Sequence, residues 1–305
     1  MIAAWLLLAA GITADTVTTH RVAVAPGESL SVEIHTSTLG RGDQVVLIPG
    51  FFGGAYGFRR LVPMLEHAGY QPVIVEPLGT GASSHPSRGD YSFLTQADRI
   101  AAALDSSGIH NAWIIAHSAG GAMALRLAYR RPDLVRGLLS LEGGPTERVS
   151  TPEFRRAASV IPWVRMLGGI KVIRRVVRRT LVASSGDPSW ITDAVVEGYT
   201  AAAAADVGGI LKVYLAMANS RERDQLMPHL RAIACPVRLL IGTAQHDGAV
   251  EQAELDEMRA LVRDFAVEPV PGAGHYLQEE RPEAIVAALR RMTGTVDRGP
   301  GTGDR

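Results

Sequence analysis

Short, continuously apolar runs recur along the chain, separated by stretches with apolar residues at helical spacing. The first paired signal is "HRVAVAPGESLSVEIHT", two β-prone segments around "PGES", which predicts a hairpin. Six further runs follow: "QVVLIPG", "QPVIVEP", "AWIIAHS", "GLLSLEG", "PVRLLIG" and "FAVEPVP". Each lacks the alternation of a sheet wetted on one face, so each reads as a strand covered on both sides, as in a parallel sheet. Helical patterns lie between them, over Arg59 to Ala68, Leu94 to Leu104, Gly120 to Tyr129, Gln252 to Arg263 and Pro282 to Met292. Strand and helix in alternation predict a doubly wound, mostly parallel α/β fold.

The rhythm breaks once, after the sixth strand. Residues 146–232 contain no convincing strand, and "FRRAASVIPWVRMLGGIKVIRRVVRRTLV" and "WITDAVVEGYTAAAAADVGGILKVYLAMA" read as several helices. We therefore expect a core in two parts, 19–145 and 233–293, with a helical cap inserted at 146–232. Within the insert Arg174, Arg175, Arg178 and Arg179 alternate with Val172, Ile173, Val176, Val177 and Leu181, an amphipathic helix with one basic face. That face reads as the solvated side of a lid helix, with contact to a membrane surface the secondary reading. Trp163, Met166, Leu167, Trp190 and Tyr199 read as the insert's own core, or alternatively as the wall of an apolar pocket.

Composition narrows this only slightly. The 305 residues are 47% hydrophobic and 20% charged with zero formal net charge, so nothing points to nucleic acid. The single cysteine, Cys235, excludes an internal disulfide and a cysteine zinc motif, and reads as a small core residue. Residues 1–18, beginning "MIAAWLLLAAGITADT", resemble the apolar and cleavage regions of a secretory signal but lack its leading positive charge. Export and a surface extension both remain open, and so does secreted, periplasmic or cytoplasmic location. Residues 294–305 read as a disordered tail.

The chemistry begins at "AWIIAHSAGGAMALRLAYRRPD", where the strand ends at His117, Ser118 makes the turn and a helix starts at Ala119. So tight a turn strains the central residue and tolerates only small neighbours two positions away, here Ala116 and Gly120. A serine there projects its Oγ from the C-terminal edge of the sheet, beside the free N–H groups of a helix start. The Ala119 N–H would point at a developing oxyanion. The bland alternative is a serine that merely caps the helix. His117 reads as structural, because adjacent residues on such a turn point apart.

A serine needs a base, and the base an orienting acid. His275, in "VEPVPGAGHYLQEERPEAI", follows a strand and a glycine-containing loop and is the expected base. Two carboxylates fit as the acid: Asp247 in "LLIGTAQHDGAV", after the next-to-last strand, and Glu142 in "GLLSLEGG", one strand earlier. The second oxyanion donor is expected from "VVLIPGFFGGAYGFRRLVPML", with the Phe51 N–H first and Phe52 second, and the phenyl ring of Phe52 as a wall for substrate. No Gly-Lys-Ser/Thr follows that loop, so it is not a phosphate loop.

Taken together, "VVLIPGFFGGAYGFRRLVPMLEHAGYQPVIVEPLGTGASS", "AHSAGG" and "PGAGHYLQEERPE" resemble the α/β-hydrolase superfamily, over most of residues 40–145 and 233–292. Two positions depart from the usual pattern: Pro49-Gly50 where relatives often have His-Gly, and Glu76 where they often have Asp. The resemblance implies a Ser-His-acid hydrolase without metal, haem, flavin or nucleotide. A serine at the elbow, where epoxide hydrolases and haloalkane dehalogenases of this superfamily carry Asp, implies acyl chemistry, and the phenyl rings after the first parallel strand suggest an apolar acyl group on a small-molecule substrate. An acyltransferase or cofactor-free haloperoxidase using the same triad, and a non-catalytic binding module, are the rival readings. The oligomeric state is not legible.

Overall fold

The apolar runs build one eight-stranded sheet, seen in a computed structural model that describes residues 16–36, 42–147, 149 and 169–294. The hairpin comprises β1 (Thr16–Ala25) and β2 (Glu28–Thr36), turning at Pro26-Gly27. Its first strand starts inside the segment expected to precede the core. The six later runs are β3 (Gln44–Ile48), β4 (Gln71–Glu76), β5 (Ala112–His117), β6 (Val135–Leu141), β7 (Val237–Gly242) and β8 (Phe265–Val270). The spatial order is β1-β2-β4-β3-β5-β6-β7-β8. β1, β2 and β4 pair antiparallel, and every pairing from β4 to β8 is parallel. Chain direction therefore brings the C-terminal ends of β3, β5, β6 and β7 to one edge. That is where open α/β sheets build sites.

Burial follows position in the sheet. Every residue of central β5 is buried, whereas β8 at the sheet edge is buried only at Val270, with Ala266 and Pro269 exposed, so the last apolar run is not the doubly covered strand its pattern predicts. Helices α1 (Val62–His67), α2 (Phe93–Ser106), α3 (Ala119–Arg130), α8 (Gln252–Leu261) and α10 (Pro282–Thr293) occupy the predicted intervals. They close two apolar layers, one on each face. Ile48, Ile114, Ile100 and Leu125 belong to one layer; Leu47, Ile115, Leu65 and Leu289 belong to the other. A short helix, α9 (Leu277–Glu280), precedes α10. Cys235 is half-buried, and burial pushes its thiol up to about 11, as suits a core residue rather than a nucleophile.

Between β6 and β7 the described residues are helical: α4 (Ile170–Ala183), α5 (Asp193–Tyr199), α6 (Ala201–Ala205) and α7 (Val207–Asn219). Most of the first predicted helical segment, with Trp163, Met166 and Leu167, lies outside the described residues, as do residues 1–15 and the tail from 295. Helix α4 is amphipathic as expected. Val177 and Leu181 face inward with Val195, Val196 and Tyr199, while Arg175 and Arg179 are exposed. Arg174 and Arg178 reach Glu197 and Asp193 on α5, so half of the basic face is spent inside the insert. Trp190 and Tyr199 pack with Tyr276 of the core, which seats the insert over the strand edge.

Candidate active site

Ser118 sits where β5 becomes α3 with no intervening loop, at φ 53° and ψ −122°. A non-glycine residue at positive φ carries strain that the surroundings must hold. Here the Ser118 N–H donates to the Leu141 carbonyl at 2.9 Å, and its own carbonyl accepts from the Gly121 N–H at 2.8 Å. The small-neighbour expectation is met most sharply at Gly120, where a Cβ would lie 2.5 Å from the Ile48 carbonyl oxygen and 2.9 Å from that of Pro49. Although Ser118 occupies the position before the helix, its side chain makes no capping hydrogen bond. The bland capping role is thus not what this hydroxyl does.

His275 is brought to the elbow through its neighbour. The His117 Nε2–H donates to the His275 carbonyl at 3.0 Å, and the two rings lie 4.9 Å apart, centre to centre. Burial pulls His117 down to about 4, so it is a neutral, structural imidazole. From the other side the His275 N–H donates to the Ser184 carbonyl at 2.8 Å, at the end of α4. Burial holds the His275 imidazole well below its usual range, neighbouring His117 and His246 push it the same way, and the Gly248 backbone opposes them. A neutral imidazole can accept a proton.

The two acid candidates part company here. Glu142 closes β6 at φ 49°, and its carboxyl is almost wholly enclosed. One oxygen accepts from the Gly242 N–H, while the other lies 3.5 Å from His246 Nε2. Glu142, His246 and His275 each present a ligand atom within 4.8 Å of those of the other two. Burial raises the Glu142 pKa, and the Gly242 N–H and His246 counter it. Asp247 is exposed, and its backbone N–H donates to the Ala183 carbonyl at 3.1 Å. Its loop does reach His275, but through Gly248, where a Cβ would lie 3.4 Å from Nδ1.

The loop after β3 lies beside the elbow, because β3 and β5 are paired. The Phe51 ring stacks on Phe93 at 6.2 Å, and its carbonyl faces the Tyr214 hydroxyl of α7 at 3.4 Å. Phe52 is exposed and stacks on Tyr214 at 5.8 Å. Phe51, Phe52, Tyr199, Ile210 and Tyr214 help line a cavity of about 180 Å³ between this loop and the insert. Ser118 and His275 are not among its lining residues. Phe52 is therefore placed against a cavity wall, next to the elbow rather than over it.

Residues 43–165 match the family model described as the alpha/beta hydrolase fold. The fold is therefore that of the alpha/beta hydrolases. Among curated relatives, the sn-1-specific diacylglycerol lipase ABHD11 of Mus musculus is 24% identical over 250 residues, covering 80% of this chain and 79% of the relative. The 2-(acetamidomethylene)succinate hydrolase of Mesorhizobium japonicum is 25% identical over 287 residues, covering 92% and 97%. Among solved structures, the epoxide hydrolase CorEH superposes with a TM-score of 0.74 at 19% identity, covering 92% of this chain and 99% of the other.

Three glutamates hold the site together, and sequence reasoning missed their roles. Glu76, noted above only as a departure from Asp, accepts from the Ala55 and Ala82 N–H groups, both at 2.7 Å. It pegs the loop after β3 to the loop after β4. Gly54 and Gly81 make room for it, since a Cβ there would lie 2.2 Å and 1.7 Å from its Oε1. Glu279 accepts from Arg59 and, at 2.8 Å, from the Tyr199 hydroxyl of the insert. Glu280 takes the Gly186 and Asp187 N–H groups, both at 2.9 Å, and that of Gly274 beside the base. The available signal was an acidic pair directly after the histidine loop, with two arginines, Arg59 and Arg60, waiting near the other loop.

Proposed function

We propose that this α/β-hydrolase is a serine hydrolase of carboxylic esters or related acyl substrates. Ser118 is the nucleophile, His275 the base and Glu142 the acid that orients it. The observation that carries the reading is the uncapped Ser118 hydroxyl on a strained turn whose neighbour, His117, is hydrogen-bonded to the backbone of His275. Glu142 is preferred to Asp247 because it is enclosed and within 4.8 Å of the imidazole, whereas Asp247 is exposed.

The chemistry follows from the nucleophile. His275 takes the Ser118 proton as Oγ adds to the carbonyl carbon. The oxyanion that forms accepts from the Ala119 and Phe51 N–H groups. The imidazolium, held by Glu142, then protonates the leaving group, and water releases the acid from the acyl-enzyme. Attack by a serine on an epoxide or alkyl halide would instead leave an ether, which water does not cleave. Acyl transfer is thus the reaction a hydroxyl at this position can turn over. The name of the diacylglycerol lipase relative agrees with ester chemistry. Phe52 and Tyr214 line the cavity next to the elbow, and an apolar acyl or alcohol group is the part of a substrate they would favour there.

The test is labelling with a fluorophosphonate, with peptide mapping, alongside hydrolysis of p-nitrophenyl esters of increasing chain length. Ser118 is expected to carry the label, and Ser118→Ala to lose at least ~10³-fold in kcat. Undiminished activity in Ser118→Ala would end this mechanism.

A further inference from the structure

Three buried polar atoms face one another without a hydrogen-bond partner among the described residues: Glu142 Oε2, His246 Nε2 and His275 Nδ1. We infer that Glu142, His246 and His275 form a binding site for a transition-metal dication of the Zn²⁺ class, and that occupation of it switches the hydrolase off. The site itself stands on geometry alone; the switching rests on the reading of His275 as the base.

The donor set is the first argument. Two imidazoles and one carboxylate, with a fourth position left for water, form a common zinc sphere. One donor atom from each residue lies within 4.8 Å of the other two. Zinc bonds of about 2.0–2.2 Å require donors roughly 3.4 Å apart, so side-chain adjustments of about 1 Å close the site. The Glu142 and His246 side chains are 1% exposed, which spares the ion competition from bulk water.

The surrounding bonds are the second argument. His246 Nδ1 lies 2.7 Å from the Ala244 carbonyl, so Nδ1 carries an N–H, and in the neutral ring the lone pair is on Nε2, 3.5 Å from Glu142 Oε2. Metal-binding imidazoles are oriented in this way, with the far N–H held by a carbonyl. The other Glu142 oxygen is already fixed by the Gly242 N–H, leaving Oε2 to bind. Positions 142, 246 and 275 are too far apart in sequence for any short ligand motif, which is why the sequence implied no metal.

Inhibition follows from the ring. A metal on Nδ1 fixes His275 as the Nε2–H tautomer. That nitrogen then has no lone pair to take the Ser118 proton, and Glu142 is withdrawn from its orienting role.

Metal-free protein is titrated with Zn²⁺ by calorimetry and with Co²⁺ by its visible absorption, using wild type, Ser118→Ala, His246→Gln and His110→Ala. His110 belongs to an exposed cluster with Asp105 and Asp133, the competing explanation, although Arg131 already pairs with both aspartates. We expect one tight Zn²⁺ per chain in wild type, Ser118→Ala and His110→Ala, and at least ~10-fold weaker binding in His246→Gln. Ester hydrolysis by wild type should fall along the same binding curve and return with EDTA. Absence of binding, or binding lost in His110→Ala and kept in His246→Gln, would overturn the site. Binding without loss of hydrolysis would overturn the switch. If Zn²⁺ binds but fluorophosphonate leaves Ser118 unlabelled, the serine-hydrolase reading fails and the metal site stands. Labelling without Zn²⁺ binding has the reverse meaning.

Discussion

Replacing Glu142 by glutamine keeps the shape of the side chain and removes its charge, which isolates the electrostatic work assigned to it. When His275 takes the serine proton, an imidazolium forms with a carboxylate oxygen no more than 4.8 Å from one of its nitrogens. At an effective dielectric constant of about 20, opposite charges at that distance attract by about 3.5 kcal/mol. That energy is present only after proton transfer, so its loss falls on kcat, by roughly 400-fold. Loss of the correct imidazole tautomer carries the effect toward ~10⁴-fold. Asp247 is exposed, and an exposed charge is worth about 0–1 kcal/mol, so Asp247→Asn should cost roughly 5-fold or less. The assay is steady-state hydrolysis of p-nitrophenyl butyrate by both variants, after circular dichroism and melting curves establish that each is folded. A loss above 100-fold in Asp247→Asn, with Glu142→Gln within a few-fold of wild type, would refute the assignment.

Three further outcomes follow from the same geometry. Because burial and two neighbouring histidines hold His275 well below 6.5, its neutral form persists as the medium acidifies, so the acid limb of a kcat/KM–pH profile should lie below pH 6.5; a limb at 7 or above would contradict this. His117, lowered to about 4 from 6.5, binds its proton more readily when unfolded, so its contribution is present above 6.5 and lost as pH falls through that window toward 4. The difference is worth ~3 kcal/mol, and equilibrium unfolding of His117→Asn should show a correspondingly weaker acid destabilisation between pH 7 and 4 than wild type. Gly120→Ala drives a methyl to 2.5 Å from the Ile48 carbonyl oxygen, so Tm should fall by roughly 2–10 °C and labelling of Ser118 should slow. An unchanged melting curve would show that β3 and the elbow are not in register as described.

What the sequence disclosed was whatever depends on local order. Continuous burial of β3 to β6 imposes continuous apolar runs, and a turn without room imposes Ala116 and Gly120, so strands and elbow could both be read directly. The choice between Asp247 and Glu142 could not, because it turns on which side chain is enclosed. Both follow a strand that ends at the same sheet edge. Only the packing of the 243–250 loop decides that His246 and Gly248 face the imidazole while Asp247 faces solvent. Glu76, Glu279 and Glu280 were hidden for a related reason. A carboxylate whose donors lie 6 to 220 positions away leaves no periodicity. The only mark is acidic residues in runs that are otherwise buried, and in "VIVEP" and "YLQEERPE" that mark is visible. An acidic residue at the end of a strand with no exposed face must therefore find a partner or lose its charge. Asking that of each such residue yields both the proposed acid at 142 and the peg at 76, the two strand-end glutamates on which the catalytic reading leans.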